Sequence, residues 1–117
     1  MKLFLLPNNN MEFKEEKTEQ MIRQLAANFL HLESSGLSLI TVTRVVFSNR
    51  MTKATILFSV LPEEKQEEAL EFAHRKRAEF KEYVRTHGRI GRIPLFEFDI
   101  DYGEKNRQRI DEISNEQ

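Results

Sequence analysis

Between Arg75 and Arg92 the chain places Arg75, Lys76, Arg77, Lys81, Arg85, Arg89 and Arg92 against two acids, Glu79 and Glu82. Guanidinium and ammonium groups in such excess suit phosphate. They pair with anionic oxygens and release the counterions condensed on a nucleic acid. Most charge runs are ordinary solvated helix faces, so the excess alone does not make a site. A second feature favours one: the run lies where an apolar helical stripe breaks, and backbone N–H groups at a helix break face phosphates well. Arg44, Arg50 and Lys53 fall in a stretch, residues 39–62, that contains no acid, and they extend the same basic surface. Just upstream, Glu63, Glu64, Glu67, Glu68 and Glu71 make an acidic helix face, so the charge changes sign inside one helical segment.

Other chemistry is poorly supplied. Asp99 and Asp101 are two apart on a strand and share a face, but a carboxylate pair needs a cleft and a raised pKa to act as acid and base. They read as solvated strand-end acids. The chain has no cysteine, which excludes disulfides and thiolate-bound zinc. His31, His74 and His87 are scattered and read as rim residues, with no metal site, cofactor or nucleophile motif around them. No enzyme is expected. Gly88-Arg89-Ile90-Gly91 spells the GxxG of KH loops, yet it follows a helical stretch and leads straight into a strand. It reads as a cap and turn whose arginine remains in reach of phosphate. Phe96 and Phe98 share a face with Ile100 and read as core rather than as base-stacking platforms.

The elements that must hold these groups follow from pattern and length. At 117 residues the chain is one domain, and its 39% apolar content suffices for a modest core. Residues 1–16 carry Pro7 and Asn8-Asn9-Asn10 without a sustained period and read as a disordered N-terminal extension. The opening apolar run is too short for a signal-peptide core of roughly 7–15 residues. No run approaches the roughly 20 apolar residues of a membrane helix, so a soluble, cytoplasmic protein is expected. From Lys17 to Glu33, Met21, Ile22, Leu25, Ala26, Phe29 and Leu30 repeat at helical spacing, and Gly36 provides a left-handed stop. Leu39–Phe47 and Lys53–Val60 read as strands of an antiparallel hairpin turned at residues 48–51.

Pro62 then suits the first position of a helix, with Glu63 and Glu64 at its positive end. Ala69, Leu70, Phe72 and Ala73, then Phe80, Tyr83 and Val84, face inward. Lys76 and Arg77 interrupt them, because an unpaired buried cation is costly, and a bend is expected there. Gly88 ends the helical part, and Ile93–Asp101 forms a third strand. Residues 107–114 make a short closing helix through Ile110 and Ile113, and residues 114–117 a tail. The sum is an α+β domain over residues 17–113, in the order α-β-β-α-α-β, with a small three-stranded sheet and its helices on one face.

This order and its wording resemble the ribosome-binding factor A family. Three phrases carry the resemblance over residues 17–113. The first is LITVTRVVFSNRMTKATILFSVL, with Thr41, Val42, Thr43, Val45, Ser48, Asn49 and Ala54 at the positions of the family's first hairpin. The second is Arg92-Ile93-Pro94-Leu95-Phe96-Glu97-Phe98, similar to the family's Val-Pro-Glu-Leu-x-Phe strand with the acid displaced to Glu97. The third is Arg109-Ile110-Asp111-Glu112-Ile113, similar to its closing helix. The resemblance implies a type II KH-like fold and non-catalytic binding of 16S rRNA on the immature 30S subunit during late maturation. It also implies later release assisted by a ribosome-associated GTPase; a monomer is expected. The family's Ala-x-Gly kink corresponds here to Arg75-Lys76-Arg77-Ala78, which has no glycine. The competing reading is a protein–protein adaptor that docks a basic partner on the acidic helix face and tail.

Overall fold

The computed structural model describes residues 5–33, 36 and 38–103, with side chains from residue 14 onward in the first segment and up to residue 32. Helix α1 spans Leu5–Glu33, strand β1 Leu39–Ser48 and strand β2 Lys53–Leu61. A short 3₁₀ turn over Glu63–Lys65 leads into α2, Gln66–Arg75. Helix α3, Arg77–His87, and strand β3, Leu95–Ile100, complete the order. The expected closing helix and tail lie outside the described residues. No described helix is long and apolar enough to cross a membrane.

Helix α1 begins well ahead of Lys17, where the apolar period first becomes regular. Pro7 does not oppose this. In a first helical turn the missing N–H has no intrahelical partner to lose. Downstream, Ile22, Leu25, Ala26, Phe29 and Leu30 are buried as their spacing predicts, and Gly36 takes the expected left-handed backbone at φ +81°.

The sheet order is β1-β2-β3. β1 and β2 pair antiparallel, as a hairpin must, with a bulge between Val42 and Arg44. β2 and β3 pair parallel, because the two-helix crossover returns the chain to the same end of the sheet. Ala54, Ile56, Phe58 and Val60 of β2, with Phe96, Phe98 and Ile100 of β3, form the buried face. Phe80 of α3 lies at the centre of this core. Its ring centroid is 5.3 Å from Phe29, 4.8 Å from Phe96 and 5.5 Å from Phe98. Phe96 and Phe98 are therefore core, as their shared face with Ile100 requires.

The expected bend falls between α2 and α3 at Lys76, whose φ of −94° and ψ of 7° lie in the sparsely allowed bridge region. Its N–H is shared between the carbonyls of Phe72 and Ala73, at 3.2 and 3.1 Å. Any L-residue tolerates this backbone, so the bend needs no glycine. It lets Ala73 and Phe80 both face the core while Lys76 sets its Nζ over the Phe72 ring, 6.0 Å from the centroid, and 3.2 Å from Glu79 Oε2.

Both edge strands are met by side chains. Glu19 of α1 accepts from the Val45 N–H at 3.0 Å. On β3, His74 Nε2 donates to the Phe98 carbonyl at 2.9 Å, and Asp99 Oδ1 accepts from the Ile100 N–H at 2.8 Å. Occupied edge groups blunt pairing with other chains. Asp101 corrects the sequence reading: it is not solvated but only 2% exposed. The Thr43 hydroxyl donates to its Oδ2, and Arg44 Nε lies 3.6 Å away. The bulge in β1 sets Thr43 and Arg44 beside Asp101, which no spacing rule for regular strands reveals.

Candidate nucleic-acid interface

The structure divides the seven bases of the Arg75–Arg92 run into two groups. Arg75, Lys76 and Arg77 surround the α2–α3 bend, and Lys81 and Arg85 follow on the outer side of α3, all but Lys76 exposed. Much of this charge is already engaged. Arg77 Nη1 lies 2.7 and 2.8 Å from the two carboxylate oxygens of Glu97, and its Nε donates to the His74 carbonyl at 3.1 Å. Lys76 pairs with Glu79. Arg85 Nε is 2.6 Å from Glu82 Oε2; this hydrogen bond and the charge of Arg85 draw the Glu82 carboxyl below its ordinary pKa, and the same bond and the charge of Glu82 raise that of Arg85.

Arg89 and Arg92 leave that group. They stand on the loop between α3 and β3, and the loop is pinned to α1. The Arg89 N–H points at the sulfur of Met21 at 3.4 Å. Gly88 makes this approach possible, because a Cβ there would meet the Val84 carbonyl oxygen at 2.9 Å and Leu25 Cδ1 at 3.0 Å. The Gly88–Gly91 segment is thus the cap and turn expected from its position. On the other side the β1–β2 turn carries Asn49, Arg50 and Met51, with φ of 52°, 55° and 65°. Three successive non-glycine residues in the left-handed region are costly.

Together these pieces enclose a cleft of about 530 Å³ whose walls carry Lys14, Lys17, Arg50, Arg89 and Arg92. None of the described residues lining it is acidic. Five cations on one cleft make a local positive field that a formal net charge of −1 hides completely. Reasoning from sequence finds Arg50, Arg89 and Arg92 but misses Lys14 and Lys17. Their signal is the spacing of Lys14, Lys17, Thr18 and Met21, one helical face, legible only once the first helix is carried back from Lys17 to Lys14.

The other two hairpin bases are placed elsewhere. Arg44 lies against Asp101 and lines a shallow groove with Glu15, Glu16 and Glu19, so carboxylates surround it. Lys53 opens β2 between Ser48 and Leu95, on the sheet face away from the helices.

The family model described as Ribosome-binding factor A matches residues 14–114. No curated protein is significantly similar to the chain in sequence. Among solved structures, ribosome-binding factor A from Thermus thermophilus superposes with a TM-score of 0.64 at 21% identity, covering 73% of this chain and 92% of its own. The solution structure of a putative ribosome binding factor A from Thermotoga maritima gives 0.60 at 23%, covering 72% and 83%. At these identities the likeness is one of fold, and it bears out the KH-like α+β architecture expected from the sequence. The family match spans most of the chain, both basic groups included, and on that ground the chain belongs to the ribosome-binding factor A family.

Proposed function

We propose that this protein is a non-catalytic assembly factor that binds 16S rRNA on the immature 30S subunit and promotes its late maturation. The observation that carries the reading is the convergence of five cations on one cleft in a chain of this family. Phosphate contacts from such a surface position an RNA without reading its bases. Binding one rRNA conformation better than another shifts its population, which is how a protein remodels RNA without making or breaking a bond. The α2–α3 bases, Arg75, Lys76, Arg77, Lys81 and Arg85, supply a second contact area. In this reading the protein is a cytoplasmic monomer and leaves the particle with the help of a ribosome-associated GTPase.

The test is co-sedimentation with 30S subunits and their precursors across a salt series. Wild type is compared with an Arg89→Glu/Arg92→Glu variant and an Arg75→Glu/Lys76→Glu variant. Binding that weakens steeply with salt and fails in the first variant supports the reading. Binding indifferent to salt and to both variants sinks it. The rival adaptor reading rests on the exposed Glu63, Glu64, Glu67, Glu68 and Glu71, and charge reversal there would then abolish association instead.

A further inference from the structure

The cleft is basic at its walls but apolar within. Met21, Phe47, Met51 and Ile90 are half-buried and Pro94 is buried, and all five line it. A surface that only gathers duplex phosphates needs no such interior, because the backbone of an A-form helix is a convex polar ridge. An apolar recess flanked by cations instead matches a flat, apolar, unstacked base still joined to its phosphates. At about 530 Å³ the cleft lies within the range of small-molecule sites.

The β1–β2 turn adds an independent observation. Arg50 and Met51 both line the cleft, and both hold positive φ although neither is glycine. Backbone strain of this kind persists where the surroundings fix it, and it clusters at binding sites. Here the strained pair supplies one cation and one apolar side chain to the same recess.

Resting on the RNA-binding reading above, we infer that this cleft takes one unstacked nucleotide of a single-stranded RNA segment. The base lies among Met21, Phe47, Met51 and Ile90, and the flanking phosphates lie on Arg50, Arg89, Arg92 and the two lysines of α1. Selection is for single strands over duplex, and it is tolerant of base identity, since every base has an apolar face.

The experiment is a methyl NMR titration of the full chain, labelled at methionine and isoleucine methyls, with a short oligouridylate. A duplex RNA and an abasic strand of the same length are titrated in parallel. Saturable shifts of Met21, Met51 and Ile90 with oligouridylate alone are expected, while Ile56 in the core stays unmoved. The Arg89→Glu/Arg92→Glu variant should weaken that binding at least about tenfold. Cleft methyls that do not move, or that move equally with duplex or abasic strand, overturn the inference. Co-sedimentation of the same preparation with 30S particles separates the two readings. Retained co-sedimentation with silent methyls removes only the single-nucleotide site, and loss of both removes the RNA-binding reading as well.

Discussion

Arg77 closes the α2–α3 bend onto β3 by setting Nη1 within 2.8 Å of both carboxylate oxygens of Glu97. A cation held by its own chain has less to offer a phosphate, since the pair must open first. The arginine and carboxylate side chains are 47% and 30% exposed, so solvent screens them and the pair is worth little to the fold. A double-mutant cycle on Arg77→Ala and Glu97→Ala, followed by urea unfolding, should give a coupling of about 0.5–1 kcal/mol. In RNA binding, Arg77→Ala should weaken the complex less than Arg89→Ala does. The reverse order would place the working surface at the bend.

Stability and binding should move in opposite directions at Arg50. Its φ of 55° is a backbone that glycine adopts freely. Relief of left-handed strain outweighs the added entropy of the unfolded chain, so Arg50→Gly should stabilise by about 0.5–1 kcal/mol. The same change removes a cation from the cleft and should weaken RNA binding. A melting curve beside an anisotropy titration checks both. If stability falls, the turn is not strained in the way its dihedrals indicate.

The two glycines of the GRIG loop should differ. Gly88 is packed under the Val84 carbonyl and Leu25, whereas a Cβ on Gly91 would meet nothing within 4 Å. Gly88→Ala must push backbone or α1 aside and should cost about 1–3 kcal/mol. Gly91→Ala should stay within about 0.5 kcal/mol of wild type. Equal losses at both would mean that Gly91 is held as tightly as Gly88, against the open space around it.

What is legible in the sequence follows from what periodicity can see. The α1 stripe, the hairpin, the Phe96–Phe98–Ile100 face and the break at Lys76 all arise from apolar spacing, and each stands where spacing puts it. Asp101 escapes such reasoning because its burial depends on a bulge in a distant strand, where Thr43 and Arg44 reach it across the sheet. The basic surface is half legible. Charge counting finds the run from Arg75 to Arg92, but a run along the chain is not a patch in space. The bend sends its first members toward Glu79 and Glu97. The loop sends its last two to meet Arg50, Lys14 and Lys17. Only long-range packing decides which charges converge.

Phe80 should be the most sensitive single position in the core. It is fully buried and touches rings from α1 and β3, so it joins the helices to the sheet. Truncation to alanine removes the ring and leaves a cavity that three elements cannot all close, at a cost of about 3–5 kcal/mol. For a domain of this size that is a large part of the whole stability. Phe80→Leu, which keeps more volume, should lose clearly less. Equal losses in urea unfolding would point to the aromatic contacts rather than volume.

Salt dependence gives the sharpest count of the interface. Each phosphate contact to a single strand contributes roughly −0.7 to the slope of log K against log salt, and each contact to B-form duplex roughly −0.9. If the five cleft cations each meet a phosphate, a short single strand should show a slope of about −3 to −4. Arg89→Ala and Arg92→Ala should each make the slope shallower by somewhat under one, and Arg44→Ala, set among carboxylates, should leave it unchanged. A slope that responds to Arg44 but not to Arg89 would move the phosphate path from the cleft to the outer edge of β1.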